Sequence, residues 1–487
     1  MTATEYREDL GKHRVYAHFI GVGGAGMSGL ALVLLQRGRH VTGSDMKESR
    51  FTHELADAGM TVAIGHDAAN LPDDVGVVVV STAIPETNPE LREARRRNIP
   101  VWQRARMLAH LTEGIPTVAV AGTHGKTSTS SMLASSLGDI GADPGFCIGG
   151  QVSAYGTNAA QGAGRLFVVE ADESDGSFIH LTPHIALITN IERDHVDHYG
   201  SIDDIRQAFR DFIALLDAGG VVLACGDDAD LLELVRASGK PYVTYGCGSG
   251  CDVRFSDVKR EGLGSRFTVQ FADVARLGAA AGNTVQAGIT LPGVHMVSNA
   301  TSVLAACALL GLDVPAAAAA LAQFAGVHRR FELVGEHDGV TVIDDYGHHP
   351  TEIAATLGGI KQLGFERLVV VFQPHRYSRT EAFLDQFADA FVDADLVVLM
   401  DVYSAGEAPI PGVSGRSIVE KILEHHPRAR VAWLPRRETV APWLAGVLRA
   451  GDALITMGAG DITGIGPEYL DHVTGTSGAA GASGVQD

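Results

Sequence analysis

The sequence of 487 residues predicts an α/β fold with three domains, each built on a largely parallel sheet with helices on both faces. Two observations support this prediction. Short apolar runs typical of buried strands alternate with helical segments along most of the chain, and this order is typical of parallel sheets. The chain is also too long for one hydrophobic core. We expect domains at residues 1–113, 114–327 and 328–473, followed by a disordered tail rich in Gly, Ser and Ala at 474–487.

The composition narrows the class of function. A net charge of −20 argues against a nucleic acid or an anionic membrane surface as a partner. No apolar run reaches the roughly 20 residues that a membrane helix needs, and the N-terminus lacks the layout of a signal peptide. The five cysteines are scattered, as expected for reduced thiols. We therefore expect a cytoplasmic protein, and the sequence leaves a monomer and a homodimer open.

The first domain is predicted to be Rossmann-like. A strand at 16–20 leads into a glycine-rich turn from Gly21 to Gly26, a helix follows at 27–36, and Asp45 lies 19 residues after Gly26. This layout matches the dinucleotide-binding fingerprint, in which a diphosphate sits on a helix N-terminus. NAD and a nucleoside diphosphate sugar both satisfy that requirement, but nothing else in the chain supplies hydride chemistry. Further elements of this domain are predicted at 40–43, 77–80 (strands) and 90–97 (helix).

The second domain is predicted to be P-loop ATPase-like. A buried strand at 118–121 ends at Gly122 and leads through Gly125 into a helix that begins near Lys126. Glycines let backbone N–H groups approach phosphates closely, and the helix N-terminus favours an anion. Lys126 would reach the β- and γ-phosphates, and the Thr127 hydroxyl would bind Mg²⁺. The alternative is an ordinary strand-to-helix turn that happens to contain a lysine.

Two side chains at strand ends in the second domain are candidate metal ligands. Glu170 follows a predicted strand at 166–169, and His195 lies shortly after another at 185–189. A carboxylate and an imidazole beside the phosphate loop can complete the shell around Mg²⁺. The alternatives are a surface carboxylate for Glu170 and a hydrolase metal cluster around His195, which would leave the phosphate loop without a purpose. Other elements of this domain are predicted at 221–224 (strand), 253–271 (antiparallel stretch), 277–286 (flexible hairpin tip) and 299–310 (helix).

The third domain presents two dense polar clusters directly after predicted strands. One cluster, at 344–350, follows a strand at 340–343, and the other, at 373–379, follows a strand at 368–372. Open α/β sheets bind ligands at the carboxyl ends of their strands, and two arginines with a histidine suit a small carboxylate. Arg330, at the junction with the second domain, could clamp a γ-phosphate. The alternatives are capped loops for the two clusters and a solvated turn for the segment around Arg330. Further strands of this domain are predicted at 396–400 and 453–457.

Seven segments together resemble the Mur ligases, the ATP-dependent amide-forming enzymes of peptidoglycan synthesis, and the resemblance extends to about Gly466. They are HFIGVGGAGMSGLA at 18–31, AGTHGKTST at 121–129, EADESD at 170–175, NIERDHVDHYG at 190–200, HRRFE at 328–332, DDYGHHP at 344–350 and FQPHRY at 372–377. The resemblance implies an N-terminal UDP-sugar domain, a central ATP domain, and a C-terminal amino-acid domain that closes over ATP.

The resemblance also implies the reaction: ATP-dependent attachment of L-alanine to the lactyl carboxylate of UDP-N-acetylmuramate through an acyl phosphate, with two Mg²⁺ ions. A recycling ligase that attaches a murein tripeptide to the same sugar nucleotide is the nearest alternative. An NAD-dependent oxidoreductase and a catalytically silent sugar-nucleotide sensor are more remote. Several relatives bridge their metals with a carbamylated lysine. This chain has no lysine between Lys126 and Lys240, so we expect no such bridge.

Carried over residue by residue, the resemblance implies a role for each motif position. Catalysis falls to Lys126, Glu170, His195 and Arg330. The metal ligands are Thr127, Glu170 and His195. The nucleotide is bound by Gly122, Thr123, His124, Gly125, Lys126, Thr127, Ser128, Asn299 at adenine, Arg330 at the γ-phosphate and Asp345 at the ribose. The sugar nucleotide is bound by Gly23, Gly24, Ala25, Gly26, Asp45, Ser81, Arg106 and His124, and alanine by Tyr346, His348, His375, Arg376 and Arg379. One departure is Met296, where family members usually have Asn, and a polar contact near adenine is therefore in doubt.

Overall fold

The computed structural model describes residues 10–174, 177–194 and 199–475. The candidate metal ligand His195 and residues 476–487 of the predicted tail lie outside these ranges. Within them the chain forms three sheets, of five, ten and six strands. One hydrophobic cluster joins the first sheet to the second, and another joins the second to the third. No helix in the described ranges is long and apolar enough to cross a membrane.

The first sheet is parallel throughout, with the strand order β3-β2-β1-β4-β5. The order reverses between β1 and β4, which places a ligand crevice at the carboxyl ends of these two strands. The predicted strands and helices are confirmed within a few residues, whereas β3 and β5 were not predicted. Both are short and only partly buried, and their apolar runs of three and two residues are too brief to indicate a buried strand. The elements are β1 Val15–Ile20, α1 Ala25–Gln36, β2 Val41–Asp45, α2 Arg50–Asp57, β3 Thr61–Ile64, β4 Val75–Val80, α3 Pro89–Arg96, β5 Val101–Gln103 and α4 Arg104–Thr112.

The second sheet has the order β15-β14-β13-β12-β11-β10-β6-β9-β7-β8, in which the strands from β12 to β7 are parallel. The predicted antiparallel stretch is confirmed as β13 and β14. The predicted hairpin tip at 277–286 overlaps the connection at 272–283 between the antiparallel strands β14 and β15, but Leu277 is fully buried in the core rather than at an exposed tip. The elements are β6 Thr117–Ala121, α5 Lys126–Asp139, β7 Gly145–Val152, β8 Thr157–Ala160, β9 Phe167–Glu170, β10 Ile185–Ile188, α6 Ile202–Ala214, β11 Val221–Cys225, α7 Ala229–Ala237, β12 Tyr242–Gly246, β13 Val253–Glu261, β14 Gly264–Phe271, β15 Thr284–Ile289, α8 Val294–Leu309 and α9 Val314–Leu321.

The third sheet has the order β16-β17-β21-β18-β19-β20, and only β16 is antiparallel to its neighbour. β17 and β18 flank β21, so the polar loops that follow these strands meet at one edge of the sheet. The edge strands β16 and β20 were not predicted. The elements are β16 Glu332–His337, β17 Val340–Asp345, α10 Pro350–Lys361, β18 Arg367–Phe372, α11 Tyr377–Ala382, α12 Leu384–Asp389, β19 Leu396–Leu399, α13 Gly415–His425, β20 Val431–Trp433, α14 Val440–Ala445, β21 Asp452–Met457 and α15 Ile465–Thr474.

Candidate active site

The turn between β6 and α5 has the shape of a phosphate-binding loop. Gly122 and Gly125 both have positive φ, at 126° and 82°. A Cβ on Gly122 would lie 2.1 Å from the Thr189 hydroxyl, so only glycine fits there. The end of β10 holds the turn in place, since Asn190 Oδ1 accepts the His124 N–H at 2.8 Å and Thr189 donates to the His124 carbonyl at 2.5 Å. The loop is therefore pre-formed, with its backbone N–H groups grouped at the helix N-terminus.

Lys126 carries a positive charge over this loop. Its Nζ donates to the carbonyl oxygens of Gly122 at 2.7 Å and Thr123 at 3.1 Å, and to Glu173 Oε1 at 2.8 Å. Burial alone would lower the pKa of Lys126, but the charges of Glu173 and Asp172 outweigh it and raise the pKa. The ammonium is thus held charged beside the position that the loop offers to a phosphate.

Thr127 and Glu170 meet in a way that suits Mg²⁺. The Thr127 hydroxyl donates to Glu170 Oε1 at 3.0 Å, and Gly149 N–H donates to Glu170 Oε2 at 2.8 Å. A Cβ on Gly149 would lie 2.7 Å from the carboxylate, so the close approach requires glycine. Hard oxygen donors beside phosphates are the set that Mg²⁺ prefers. The donors that the described part of the chain supplies therefore fit a magnesium ion.

A smaller cavity of about 160 Å³ adjoins the phosphate loop, and its wall carries the predicted adenine and ribose contacts. Asn299 lies against Gly125, and Asp345 accepts the N–H groups of Phe331 and Gly347, both at 2.8 Å. Burial raises the pKa of Asp345 to about 6. Met296 also lines this cavity, with its sulfur 4.0 Å from Asn299 Nδ2. A thioether thus lies in the cavity wall at the position where the resemblance led us to expect an asparagine.

The larger cleft, of about 780 Å³, brings the phosphate loop together with the third-sheet clusters. Arg330 and Arg329 each lie over the Tyr346 ring at 4.9 Å, and His375 stacks on Tyr403. Arg379 reaches across to the second domain, where its Nε and Nη2 both lie 3.1 Å from Asp194 Oδ1. Predicted site residues in the lining of this one cleft are Thr123, Gly125, Lys126, Thr127, Glu170, Arg330, Tyr346, His348, His375, Arg376 and Arg379.

The His348 imidazole has a defined hydrogen-bonding role in this cleft. Its Nδ1 lies 3.0 Å from the Tyr346 carbonyl oxygen, which can only accept, so Nδ1 carries the proton and Nε2 has a lone pair. Burial, the largest effect, lowers the pKa of His348 to about 3. The ring is therefore neutral, and it offers a hydrogen-bond acceptor to a ligand in the cleft.

The first domain lines the larger cleft with the start of α2, whereas Ala25 and Gly26 of its glycine turn line a neighbouring cavity that also includes Glu170. Gly23 N–H donates to Asp45 Oδ2 at 2.8 Å, so Asp45 stabilises the turn itself. Ser81 follows β4, at the same edge of the sheet. The structure does not bring Arg106 to this turn, because its guanidinium lies over the Trp102 ring in a separate cleft. Arg106 is two residues after Arg104 on the same helix, so the two side chains point about 200° apart. Arg104, at the start of α4, lies against Gly26 instead.

Four side chains that contact predicted site residues were not themselves predicted from the sequence. Glu173 holds Lys126, Asp194 holds Arg379, Arg104 lies at the glycine turn, and Glu352 accepts the N–H groups of His348 and His349. Each acts through a partner distant in sequence or through a loop conformation. Only Glu352 had a usable signal, since it is the third residue of a helix that begins at Pro350, where a capping carboxylate is common.

His124 lies between two carboxylates at the seam of the second and third domains. Its Nε2 is 3.5 Å from Glu192 Oε2, and its Nδ1 is 3.3 Å from Glu352 Oε1. Burial, the largest effect, opposes the charge, but hydrogen bonds to Glu192 and Glu352 raise the pKa of His124 to about 9. His124, Glu192 and His349 could also group around a metal ion. A protonated His124 in an ion-pair triad explains the same geometry, because an imidazolium cannot bind a metal.

We expect His124 to make stability depend on pH. Its folded pKa of about 9 exceeds the ordinary 6.5, so its contribution is fully present below about pH 6.5 and is lost as pH rises through about 9. The contribution is up to about 3 kcal/mol, at about 1.4 kcal/mol per pKa unit. The measurement is the thermal midpoint of wild type and of His124→Asn between pH 6 and 10, with the exposed His53→Asn as control. A His124→Asn deficit that does not shrink with rising pH contradicts the assignment.

Three α/β domains around a cleft that combines a phosphate loop with a polar amino-acid-sized cluster define a nucleotide-dependent enzyme. Three Mur ligase profiles match the chain: "Mur ligase family, catalytic domain" at residues 16–115, "Mur ligase middle domain" at 120–307 and "Mur ligase, glutamate ligase domain" at 329–460. The chain belongs to the Mur ligase family, whose members use ATP.

Among individual relatives, the UDP-N-acetylmuramate–L-alanine ligase of Pelobacter propionicus is 46% identical over 91% of this chain and 95% of its own length. The enzyme of the same name from Mycobacterium sp. (strain JLS) is 47% identical over 93% of this chain and 94% of its own length. The solved UDP-N-acetylmuramate–alanine ligase of Thermotoga maritima has a similar structure, with a TM-score of 0.77 and 29% sequence identity; the match covers 94% of this chain and 99% of that chain. The solved murein peptide ligase of Psychrobacter arcticus is also similar, with a TM-score of 0.66 and 27% sequence identity; the match covers 93% of this chain and 98% of that chain.

Proposed function

We propose that this enzyme attaches L-alanine to the lactyl carboxylate of UDP-N-acetylmuramate, with ATP activating the carboxylate as an acyl phosphate. The observation that carries the proposal is the single cleft in which Lys126 and Arg330 face the polar cluster around His348 and Arg379. The relatives that are 46–47% identical over nearly the whole chain bear the corresponding name. An NAD-dependent oxidoreductase lacks such support.

The residues of the cleft divide the work of a phosphoryl transfer followed by an amide formation. Lys126 and Arg330 stabilise the charge on the transferring phosphoryl group, and positioning with electrostatics carries most of such catalysis. Thr127 and Glu170 would hold Mg²⁺, which offsets phosphate charge when it is bound. The guanidinium groups of Arg376 and Arg379 suit the carboxylate of an amino acid.

The experiment that tests the function is phosphate release from ATP with Mg²⁺ and UDP-N-acetylmuramate, with either L-alanine or the L-Ala-γ-D-Glu-diaminopimelate tripeptide added. Release that depends on alanine supports the proposal. Release that depends on the tripeptide assigns the chain to the recycling ligases, which the similarity to the Psychrobacter arcticus enzyme keeps as the second candidate. If neither acceptor stimulates phosphate release, both candidate functions are contradicted.

We expect His348 to orient the attacking amine through its Nε2 lone pair. Replacement by Leu, which removes that acceptor, should lower kcat for ligation by about 10- to 150-fold, the scale of one hydrogen bond to a charged group, with a smaller change in the KM for alanine. Hydroxylamine, a nucleophile that needs no such acceptor, should still trap the acyl phosphate at the wild-type rate. Equal losses in ligation and trapping would show that His348 serves the phosphoryl transfer instead.

Several finer statements belong to the same proposal. We infer domain boundaries near residues 113 and 327, which the extents of the three sheets support. Two Mg²⁺ ions are expected because triphosphate transfer concentrates negative charge in the cleft. A monomer or homodimer and a cytoplasmic location stay predictions.

A further inference from the structure

Glu352 lies in the wall between the nucleotide cavity and the larger cleft. Of the described residues, Gly125, Arg330 and Glu352 line both cavities. Gly125 belongs to the phosphate loop, and Arg330 is the proposed γ-phosphate clamp. Glu352 has no role in either step so far, although it is the one acidic side chain shared by the two sites.

The two oxygens of Glu352 face different partners. Oε1 lies 3.3 Å from His124 Nδ1, in the phosphate loop, and 3.9 Å from Arg330 Nη1. Oε2 accepts the N–H groups of His348 at 3.1 Å and His349 at 3.3 Å. One carboxylate therefore touches the phosphate loop, the phosphate clamp and the segment that carries the amine-orienting imidazole.

The charge on this carboxylate is firmly held. Burial, the largest effect, would raise the pKa of Glu352, but the positive charges of His124 and Arg330 outweigh it and keep the pKa well below the ordinary value. A helix cap needs only an oxygen acceptor, which an amide supplies equally well. An ionised carboxylate between the cations His124 and Arg330 can also respond to a ligand. A shift of either cation toward a phosphate changes the position that the carboxylate prefers.

We propose that Glu352 is a positioning residue that couples nucleotide binding at the phosphate loop to amino-acid binding at His348. The proposal rests on the proposed function for the identity of the amino-acid ligand. When a triphosphate engages His124 and Arg330, the Glu352 carboxylate moves with them and sets the backbone of residues 348–349. By linkage, the amino acid must then tighten the nucleotide by the same factor.

The test is a binding cycle on the full chain with Mg²⁺ and UDP-N-acetylmuramate present. Calorimetry measures the Kd of alanine with and without a non-hydrolysable ATP analogue, in wild type and in Glu352→Gln. We expect the analogue to tighten alanine by about 5- to 150-fold in wild type, the usual range of such coupling. In Glu352→Gln, which keeps the cap acceptor and removes the charge, that ratio should fall to near one.

Controls separate coupling from simple structural damage. Glu420→Gln, an exposed glutamate of the same domain paired with Arg416, should keep the wild-type ratio. The thermal midpoint of Glu352→Gln reports whether the cap survives, and Glu352→Asp, which restores the charge, should regain part of the ratio. A wild-type ratio in Glu352→Gln, or no coupling in the wild type, overturns the proposal.

The cycle also distinguishes failure of the inference from failure of the proposed function. If phosphate release depends on the tripeptide rather than on alanine, the same cycle is run with the tripeptide as the second ligand. The function is then reassigned, while the role of Glu352 is still supported or overturned by the ratio.

Discussion

Replacing Lys126 by alanine is expected to lower ligation by about a thousandfold or more. Lys126 is the cation held directly over the phosphate loop, and loss of one well-placed charge-stabilising group costs on this scale. The first domain holds the glycine turn and does not contain Lys126, so binding of the sugar nucleotide should stay nearly intact. The measurements are kcat from phosphate release and the Kd of UDP-N-acetylmuramate from calorimetry.

The matched control is Lys361→Ala, a half-exposed lysine of α10 paired with Asp395. It should leave kcat within about a factor of two, since exposed ion pairs contribute at most about 1 kcal/mol. The double variant Lys126→Ala/Glu173→Gln addresses the buried carboxylate that Lys126 leaves behind. It should recover thermal stability without recovering activity. Full activity in Lys126→Ala would contradict the phosphate-loop assignment.

Replacing Arg379 by alanine is expected to raise the KM for alanine by about 30-fold to 5,000-fold. Removing the guanidinium partner of a desolvated ligand carboxylate costs about 2–5 kcal/mol of binding. The ion pair of Arg379 with Asp194, which is 5% exposed, is lost as well. The pair joins the second domain to the third, so its loss weakens the contact across the cleft as well as the amino-acid site. Steady-state kinetics with varied alanine measures the effect.

Arg379→Lys separates charge from geometry, because lysine keeps the charge but lacks the planar fork of donors. We expect it to recover only part of the affinity for alanine. Arg416→Ala, which removes an exposed arginine paired with Glu420, should be close to wild type. An unchanged KM for alanine in Arg379→Ala would remove this residue from the amino-acid site and leave it a purely interdomain contact.

Local patterns were informative where a motif and its structure lie in one segment. The phosphate loop, the glycine turn before α1 and the polar ends of β17 and β18 were all predicted from contiguous residues. The short edge strands β3, β5, β16 and β20 were missed, because each contains only two or three consecutive apolar residues, fewer than the four to eight that indicate a buried strand. Arg106 was expected along the UDP moiety, which stays a prediction; its guanidinium lies over the Trp102 ring, and Arg104 lies against Gly26 of the glycine turn.

Apolar runs, glycines and motif spacing within single segments were enough to predict the α/β class, the order of the three sheets along the chain and the loop that we expect to bind phosphate. The pairings of Lys126 with Glu173, of His124 with Glu352 and of Arg379 with Asp194 are visible only in the folded molecule. Those pairs join segments 47 to 228 residues apart (173 − 126 and 352 − 124). Their charges are set by burial and by neighbours that packing alone brings together, and no local pattern encodes a neighbour that arrives from another domain.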